Sequence, residues 1–290
     1  MKYIYMVNRF VLKDRSDDVI SRLRKASDKC ARTYEIVENN NAKEAKAAAA
    51  GYRDQECIVT TIGGDGSVNA LLNDLMGGRA VMSFIPFGTG NDMWRTCTET
   101  LEDGLHELDV IRINDRYFIN AACFGIDADI ANDDRFIHNR MIPGPLRYHA
   151  GVLHHFLTWR RGRKLKIAWD GGTVEREFTT VVAANARYYG GGYKISPDSV
   201  VDDGMMEVYL VDRLGKVNMA RTILSMKNAG HLKNPALQMI RTEKCVISCG
   251  QEITANIDGE PLPGKQFELE LIPHGIRVDL DRKFVSLLEL

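Results

Sequence analysis

The sequence predicts an α/β half followed by a mainly β half, on three observations. Up to about Leu108, short apolar runs alternate with amphipathic stretches at helical spacing. That is the pattern of strands and crossover helices that build a parallel sheet covered on both faces. Beyond that point the runs alternate apolar and polar residues between short polar turns, the mark of antiparallel sheets. Two glycine turns, "GGDGS" and "PFGTGND", each leave from an apolar run and lead into a helical one. The expected architecture is a doubly wound parallel-sheet domain over residues 1–121 and a mainly antiparallel β-sandwich domain over residues 122–275. A tail over residues 276–290 is expected to return to the first domain.

The elements follow in order. "YIYMVN" is the first strand. "SDDVISRLRKASDKC" is a helix with Ser16 as its expected N-cap and Asp17 and Asp18 in its first turn, where carboxylates complement the helix dipole. "TYEIVE" is a second strand and "NAKEAKAAAAGY" a helix closed by Gly51. "CIVTTI" is a third strand, then the first glycine turn, then the helix "SVNALLNDLM". "AVMSFIPF" is a fourth strand, followed by the second glycine turn. "LDVIRIN" and "RYFINAACFGIDADIA" are strands in a hairpin around "ND". A helical patch, "GPLRYHAGVLHHFLTW", precedes a series of alternating runs, "RKLKIAWDGGTVEREFTTVVAANA", "GMMEVYLVD", "CVISCGQEITANIDGEPL" and "FELELIPHGIRVDL". One helix, "KVNMARTILSM", interrupts them.

Composition narrows the function classes. The 290 residues carry 38 Lys and Arg against 39 Asp and Glu, a formal net charge of −1, so no global field points to nucleic acid. The 6 cysteines show no paired C-x-x-C knuckles, which argues against a zinc site or a disulfide framework. No apolar stretch approaches the roughly 20 residues of a membrane span, and the N-terminus reads as a strand rather than a signal peptide. A cytoplasmic protein is the expectation.

Four segments could carry chemistry. In "GGDGS", residues 63–67, glycines allow close backbone approach and the following helix start can hold an anion. Asp65 would repel a bare phosphate, yet suits a ligand that arrives with a cation such as Mg²⁺. Taken alone, an Asp-Gly turn with Asp65 as a helix cap accounts for the segment equally well. "PFGTGND", residues 86–92, repeats the arrangement with Thr89 and Asp92. Both turns leave the carboxyl edge of the predicted sheet, where ligands of open α/β sheets bind. They are therefore expected to face one another. "IDGEPL", residues 257–262, is a tight hairpin turn followed by Glu260, and a plain hairpin is the simpler reading. In "YYGGGYKISPDSVVDDGMMEV" the acids could hold a hard cation through oxygen ligands or sit in a solvated turn. P-loop, kinase H-R-D and G-x-S-x-G signatures do not occur.

The ordered set "IGGDGSVNALLNDL", "PFGTGND", "LDVIRIN", "FINAACFGIDADIA", "NARYYGGGYKISPDSVVDDGMMEV" and "NIDGEPL" resembles the diacylglycerol kinase catalytic family over nearly the whole chain. That family includes bacterial lipid kinases, sphingosine kinases and ceramide kinases. The GGDG turn is shared with NAD kinases and, more loosely, phosphofructokinases; "GTGND", the triple glycine and "DGE" favour the lipid-kinase branch. The resemblance implies a nucleotide-binding first domain and ATP-dependent transfer of the γ-phosphoryl group to a lipid hydroxyl. It implies ATP contacts from Asn8, Gly63, Gly64, Asp65, Gly66, Ser67, Asn69, Gly88, Thr89 and Asn91. Asp65, Asp92 and Asp109 would form the acidic network around catalytic Mg²⁺, and Glu260 would be the general base. Val200, Asp203 and Met205 would hold a structural Mg²⁺, the first and last through their carbonyls. The active site is then expected in the cleft between the two domains. The chain departs from the family at "VNRF", where Arg9 stands in place of proline and could offer a charged substitute for lost phosphate contacts. An NAD kinase-like phosphotransferase and a non-catalytic nucleotide-binding module are the alternatives.

The implied partners are ATP and a lipid substrate at the membrane surface, with transient membrane association, no nucleic acid and no transmembrane segment. A dimer is one oligomeric state left open. The basic-aromatic stretch "TWRRGRKLK", residues 158–166, is the candidate interfacial contact, although a helix end with dipole-complementing cations explains it more simply. "RFIHNRMIPGPLRYHAGVL" could border an acyl-chain cleft or pack in the core.

Overall fold

The fold comes from a computed structural model that describes residues 1–133, 154, 158 and 162–290. The expected helix over residues 144–159, the expected acyl-chain border over residues 135–153 and the middle of the basic-aromatic stretch lie outside the described residues. The described chain forms two compact units. One holds Met1–Val110, Val201–Asp203 and Ile272–Leu290, and the other Ile111–Val200 and Gly204–Leu271.

The first unit is built on four parallel strands, β1 (Lys2–Asn8), β2 (Tyr34–Asn39), β3 (Cys57–Gly63) and β4 (Val81–Pro86). Their spatial order is β2-β1-β3-β4. Chain crossovers therefore run in opposite directions from the β1/β3 boundary, which is a topological switch point. Five of the six residues of β4 and all seven of β3 are buried, as a parallel strand covered on both faces requires. Helices α1 (Arg9–Leu12), α2 (Ser16–Lys29), α3 (Ala42–Tyr52), α4 (Asp65–Leu75) and α5 (Asp92–Thr100) make the connections. Val19, Ile20, Leu23 and Ala26 form the inward stripe of α2 and pack with Tyr5, Val7 and Ile62.

Two helix boundaries differ from expectation. Ser16 does not cap α2: a 3₁₀ turn over Lys13–Arg15 precedes it, and the Ser16 hydroxyl donates to the Lys13 carbonyl at 2.7 Å. Gly51 lies within α3, whose N-cap Asn41 accepts from the Glu44 amide at 3.0 Å.

The C-terminal segment closes this unit. Val278, on a strand over Glu260–Leu280, pairs parallel with Met82 of β4. The chain then ends in a helix over Arg282–Leu288, capped by Asp281 through the Phe284 amide at 2.7 Å. The Arg32 guanidinium lies 4.0 Å from the Tyr3 ring centre and 3.7 Å from that of Phe284, and it pairs with Asp281.

The second unit is antiparallel. Strand β5 (Gly104–Ile113) enters it and pairs with β6 (Arg116–Phe118) across the Asn114–Asp115 turn. Next come β7 (Ala121–Gly125), β8 (Arg163–Trp169) and β9 (Gly172–Ala184), then a two-stranded ribbon, β10 (Tyr188–Tyr189) with β11 (Tyr193–Lys194). The series ends with β12 (Met206–Asp212), β13 (Leu237–Thr242), β14 (Lys244–Ile257) and β15 (Glu260–Leu280). β7 and β8 fill, end to end, the slot between β9 and β14. Phe118, Phe124, Phe178 and Phe267 lie in the buried cluster at its centre.

"IDADIA" departs from the predicted strand. β7 stops at Gly125, and residues 126–131 form helix α6 (Ile126–Ala131). The turn is tight: a Cβ on Gly125 would lie 2.5 Å from the Thr179 carbonyl oxygen. Asp127, in the first turn of the helix, accepts from the Ala128 amide at 3.0 Å. Helix α7 (Lys216–Ser225) follows β12, and the C-terminal helix is α8 (Arg282–Leu288).

Candidate active site

The two glycine turns meet. β3 and β4 end in register, Gly63 opposite Pro86, and the Phe87 amide donates to the Gly63 carbonyl at 2.9 Å. A Cβ on Gly88 would stand 2.7 Å from the Gly64 Cα, a separation no side-chain carbon tolerates. Gly64 and Gly88 are therefore glycines because their backbones touch. Asn91, at φ +53°, holds the second turn: its Oδ1 accepts from the Gly88 amide at 3.0 Å and its Nδ2 donates to the Gly88 carbonyl at 2.8 Å. Ser67 folds back over Gly63, where an added Cβ would fall 2.3 Å from its Oγ. Gly66 and Thr89 are exposed, and a Cβ on Gly66 would meet nothing within 4 Å. The N-cap Gly64 has no side chain to cap α4, and the Ser67 and Val68 amides donate to its carbonyl at 2.9 and 3.2 Å; this leaves the amides of Asp65 and Gly66 at the positive end of the helix dipole, an arrangement suited to an anion.

Asp65 links the two turns. Its Oδ1 accepts from the Met93 amide, in the first turn of α5, at 3.0 Å. An acid in the first turn of one helix thus caps its neighbour, and its Oδ2 makes no hydrogen bond among the described residues. Asp92 is buried in the same turn of α5. Asp109 is fully buried in β5, where its Oδ1 accepts from the His274 amide at 2.8 Å and its own amide donates to the Val201 carbonyl at 2.7 Å. That bond ties the segment around Asp203 to β5. Asp203 is exposed, Val200 is 38% exposed and Met205 is half-buried. Asn69 is buried a turn into α4 and accepts from the Asn73 amide group on Oδ1 and on its carbonyl. Asn8, at the end of β1, is buried and accepts from Asn39 Nδ2 at 3.2 Å.

Arg9 does not stand free to replace phosphate contacts. It donates to Asp17 at 2.8 Å and to Glu38 at 2.5 Å, and those hydrogen bonds raise its pKa. A groove of about 610 Å³ runs beside Arg9, Asp17, Arg24 and Glu38; no residue of the glycine turns lines it.

The oxygen donors fit one kind of Mg²⁺ and not another. Among the described residues no three His, Cys, Asp or Glu side chains converge into a metal cage, so Asp65, Asp92 and Asp109 do not form one. Mg²⁺ that travels with a polyphosphate needs only one or two carboxylates and keeps its waters. The unengaged oxygen of Asp65, beside the outward amides of α4, matches that demand.

In the second unit the β14–β15 hairpin turns at Asp258 and Gly259, both at positive φ (+48° and +96°), the geometry of a two-residue primed turn. The buried Asp258 carboxylate accepts from three successive amides, Ile119 at 2.9 Å, Asn120 at 3.1 Å and Ala121 at 2.9 Å. Asn256 Oδ1 accepts from the Gly259 amide at 3.0 Å, and Asn256 Nδ2 donates to Asn132 Oδ1 at 2.9 Å. Glu260 follows this braced turn, pairing with Ile257 through its backbone; its side chain is exposed and its carboxylate makes no hydrogen bond among the described residues. Sequence reasoning singled out Glu260 and missed Asp258, Asn256 and Asn132. Only the Asp-Gly pair hinted at a special turn, and nothing in the string places residues 119–121 against it. Asp127 is also new: Thr180 Oγ1 donates to it at 2.5 Å, and burial pushes its pKa up to about 6.

Comparisons with known proteins agree with this layout. Residues 2–117 match the family described as diacylglycerol kinase catalytic domain, and residues 120–279 match the YegS C-terminal NAD kinase beta sandwich-like domain. A probable lipid kinase YegS-like of Shewanella frigidimarina is 26% identical over 236 residues, covering 74% of each chain. The diacylglycerol kinase of Bacillus subtilis is 24% identical over 241 residues, covering 76% of this chain and 77% of its own. The fold matches the crystal structure of a putative diacylglycerol kinase from Bacillus anthracis with a TM-score of 0.79 at 20% identity, over 97% of this chain and 95% of that one. With one match spanning the α/β unit and the other more than half of the chain, the protein belongs to the diacylglycerol kinase–YegS family of lipid kinases.

Proposed function

We propose that this lipid kinase transfers the γ-phosphoryl group of ATP to the hydroxyl of a diacylglycerol-like lipid, with Glu260 as general base and Mg²⁺ on the nucleotide. The observation that carries the reading is the contact of Gly64 with Gly88, which draws two turns and two helix starts together at the carboxyl ends of neighbouring strands. In the proposed site the glycine backbone at Gly63, Gly64 and Gly66 and the hydroxyls of Ser67 and Thr89 receive the nucleotide phosphates. Asn91 shapes the second turn through Gly88, and Asn8 and Asn69 stand behind the first contacts. Asp65 offers its unengaged oxygen to the cation, with Asp92 and Asp109 in the surrounding acidic network. When bound, Mg²⁺ would neutralise the charge on the transferring group. Glu260, exposed and with a carboxylate that makes no hydrogen bond among the described residues, takes the proton from the acceptor hydroxyl. Val200, Asp203 and Met205 are proposed as ligands of a separate structural cation.

Transfer of labelled phosphate from ATP to a lipid panel tests the reading. Diacylglycerol is expected to accept. Glu260→Gln is expected to cut turnover by roughly 10²–10⁴-fold, the worth of a positioned general base, with ATP affinity unchanged. Transfer to NAD with none to any lipid would overturn the substrate class, and near-normal turnover of the Gln variant would overturn the base.

A further inference from the structure

The chain is close to neutral overall, yet its charges are not evenly spread. Residues 213–242 hold six Lys and Arg and no Asp or Glu. Arg213 and Arg241 are paired, with Glu177 at 3.2 Å and Glu207 at 3.1 Å. Arg221, Lys227 and Lys233 are exposed and have no carboxylate partner among the described residues. Within this segment α7 is amphipathic in an unusual sense. Met219 is buried and Ile223 half-buried, and both pack inward with Ile126 and Ile130 of α6 and with Val211 and Leu214. The opposite face carries Val217, Arg221 and Leu224 at spacings of four and three, one stripe of a helix. Val217 is 64% and Leu224 73% exposed, and Met239 on strand β13 is 50% exposed. An apolar stripe threaded with unpaired cations and free of acids matches an interface of acyl chains and anionic headgroups, not a soluble acidic protein, which would leave the apolar side chains unmatched.

We infer that the outer face of α7, with Lys227 and Lys233 in the turns that follow it, docks the kinase on an anionic bilayer. Val217 and Leu224 enter the headgroup–acyl boundary, and Arg221, Lys227 and Lys233 meet lipid phosphates. The inference rests on the lipid-kinase reading for its purpose and on this surface alone for its geometry.

Flotation of the full chain with phosphatidylcholine vesicles, with and without phosphatidylglycerol, tests it. Wild type is expected to bind only the anionic vesicles and to leave them at high salt, which screens exposed charges. Reversal of the three cations (R221E/K227E/K233E) is expected to lower partitioning roughly a hundredfold, at about fivefold per basic side chain near an anionic surface. V217S/L224S is expected to lower it by about tenfold or more, as the loss of buried aliphatic side chains implies. Both variants are expected to phosphorylate a dispersed short-chain diacylglycerol at the wild-type rate, an arm that tests the kinase reading separately from docking. Wild-type partitioning by either variant, or equal binding of wild type to neutral and anionic vesicles, overturns the inference. Self-association that both variants abolish, without vesicle binding by wild type, overturns it in favour of a protein partner.

Discussion

Replacing Asp258 tests the bracing of the Glu260 hairpin most directly. Its carboxylate accepts from three consecutive amides and is 8% exposed, so water cannot take over those bonds. Hydrogen bonds to a charged acceptor contribute about 1.5–3 kcal/mol each, and buried donors left unpaired cost a similar amount. The three share two oxygens and do not add fully. Asp258→Ala also puts a β-carbon with no local hydrogen bond at φ +48°, where L residues lose roughly 1–2 kcal/mol. The alanine variant is therefore expected to lose about 4–6 kcal/mol, a large share of the ~5–15 kcal/mol that folded domains possess. Asp258→Asn is the cleaner probe. Asparagine tolerates the left-handed backbone, and its oxygen can keep Asn120 and Ala121. Its amide group would then face the Ile119 amide, donor against donor. A loss of about 2–4 kcal/mol follows from one broken and two weakened bonds. Urea unfolding measures it, and hydrogen exchange at residues 119–121 localises it. An unchanged midpoint with unchanged protection of those amides would refute the bracing argument.

Three further outcomes are expected. Gly88→Ala drives a Cβ to 2.7 Å from Gly64; the turns must separate, and calorimetry should show ATP affinity falling at least about tenfold, the equivalent of ~1.4 kcal/mol, with little change in unfolding of the second unit. Asp127 keeps its proton to a higher pH in the native protein than in the unfolded chain, since burial raises it to about 6. Its contribution is greatest below the ordinary carboxylate value and is lost as pH rises through about 6. Asp127→Asn should flatten that part of the melting temperature's pH dependence; an unaltered slope between pH 4 and 7 would reject the assignment. Arg32→Ala removes a guanidinium held between two rings and paired with Asp281, so a loss of about 2–4 kcal/mol and early proteolysis of the C-terminal helix are expected.

Most of the fold was legible in the sequence because it rests on local periodicity. Strands β1, β3 and β4 of the α/β unit read as apolar runs, since they are buried on both faces, and β8, β14 and β15 of the second unit read as alternation, since one face meets its core. The misreadings fall where a local signal had two uses. Asp127 and Asp129 looked like polar positions of a strand, but they are first-turn acids of α6. Ser16 looked like a cap, but a 3₁₀ turn already occupied the helix start. Arg9 looked available for phosphate, because nothing in the string brings Asp17 and Glu38 to its side.

By itself the sequence determined the alternation of strands and helices in the first unit, the two glycine turns at a sheet edge, and the identity of the acids that could serve phosphoryl transfer. Tertiary structure alone decided what those groups do to one another. Asp65 caps the helix of the other turn, Gly88 is excluded from bearing a side chain by Gly64, and Asp258 gathers three amides from the β6–β7 connection and the start of β7, 137 to 139 residues away in the chain. The physical reason is range: propensity and periodicity act over a few residues, whereas hydrogen bonds and steric exclusion act between whatever backbone the finished sheet brings within 3 Å or so.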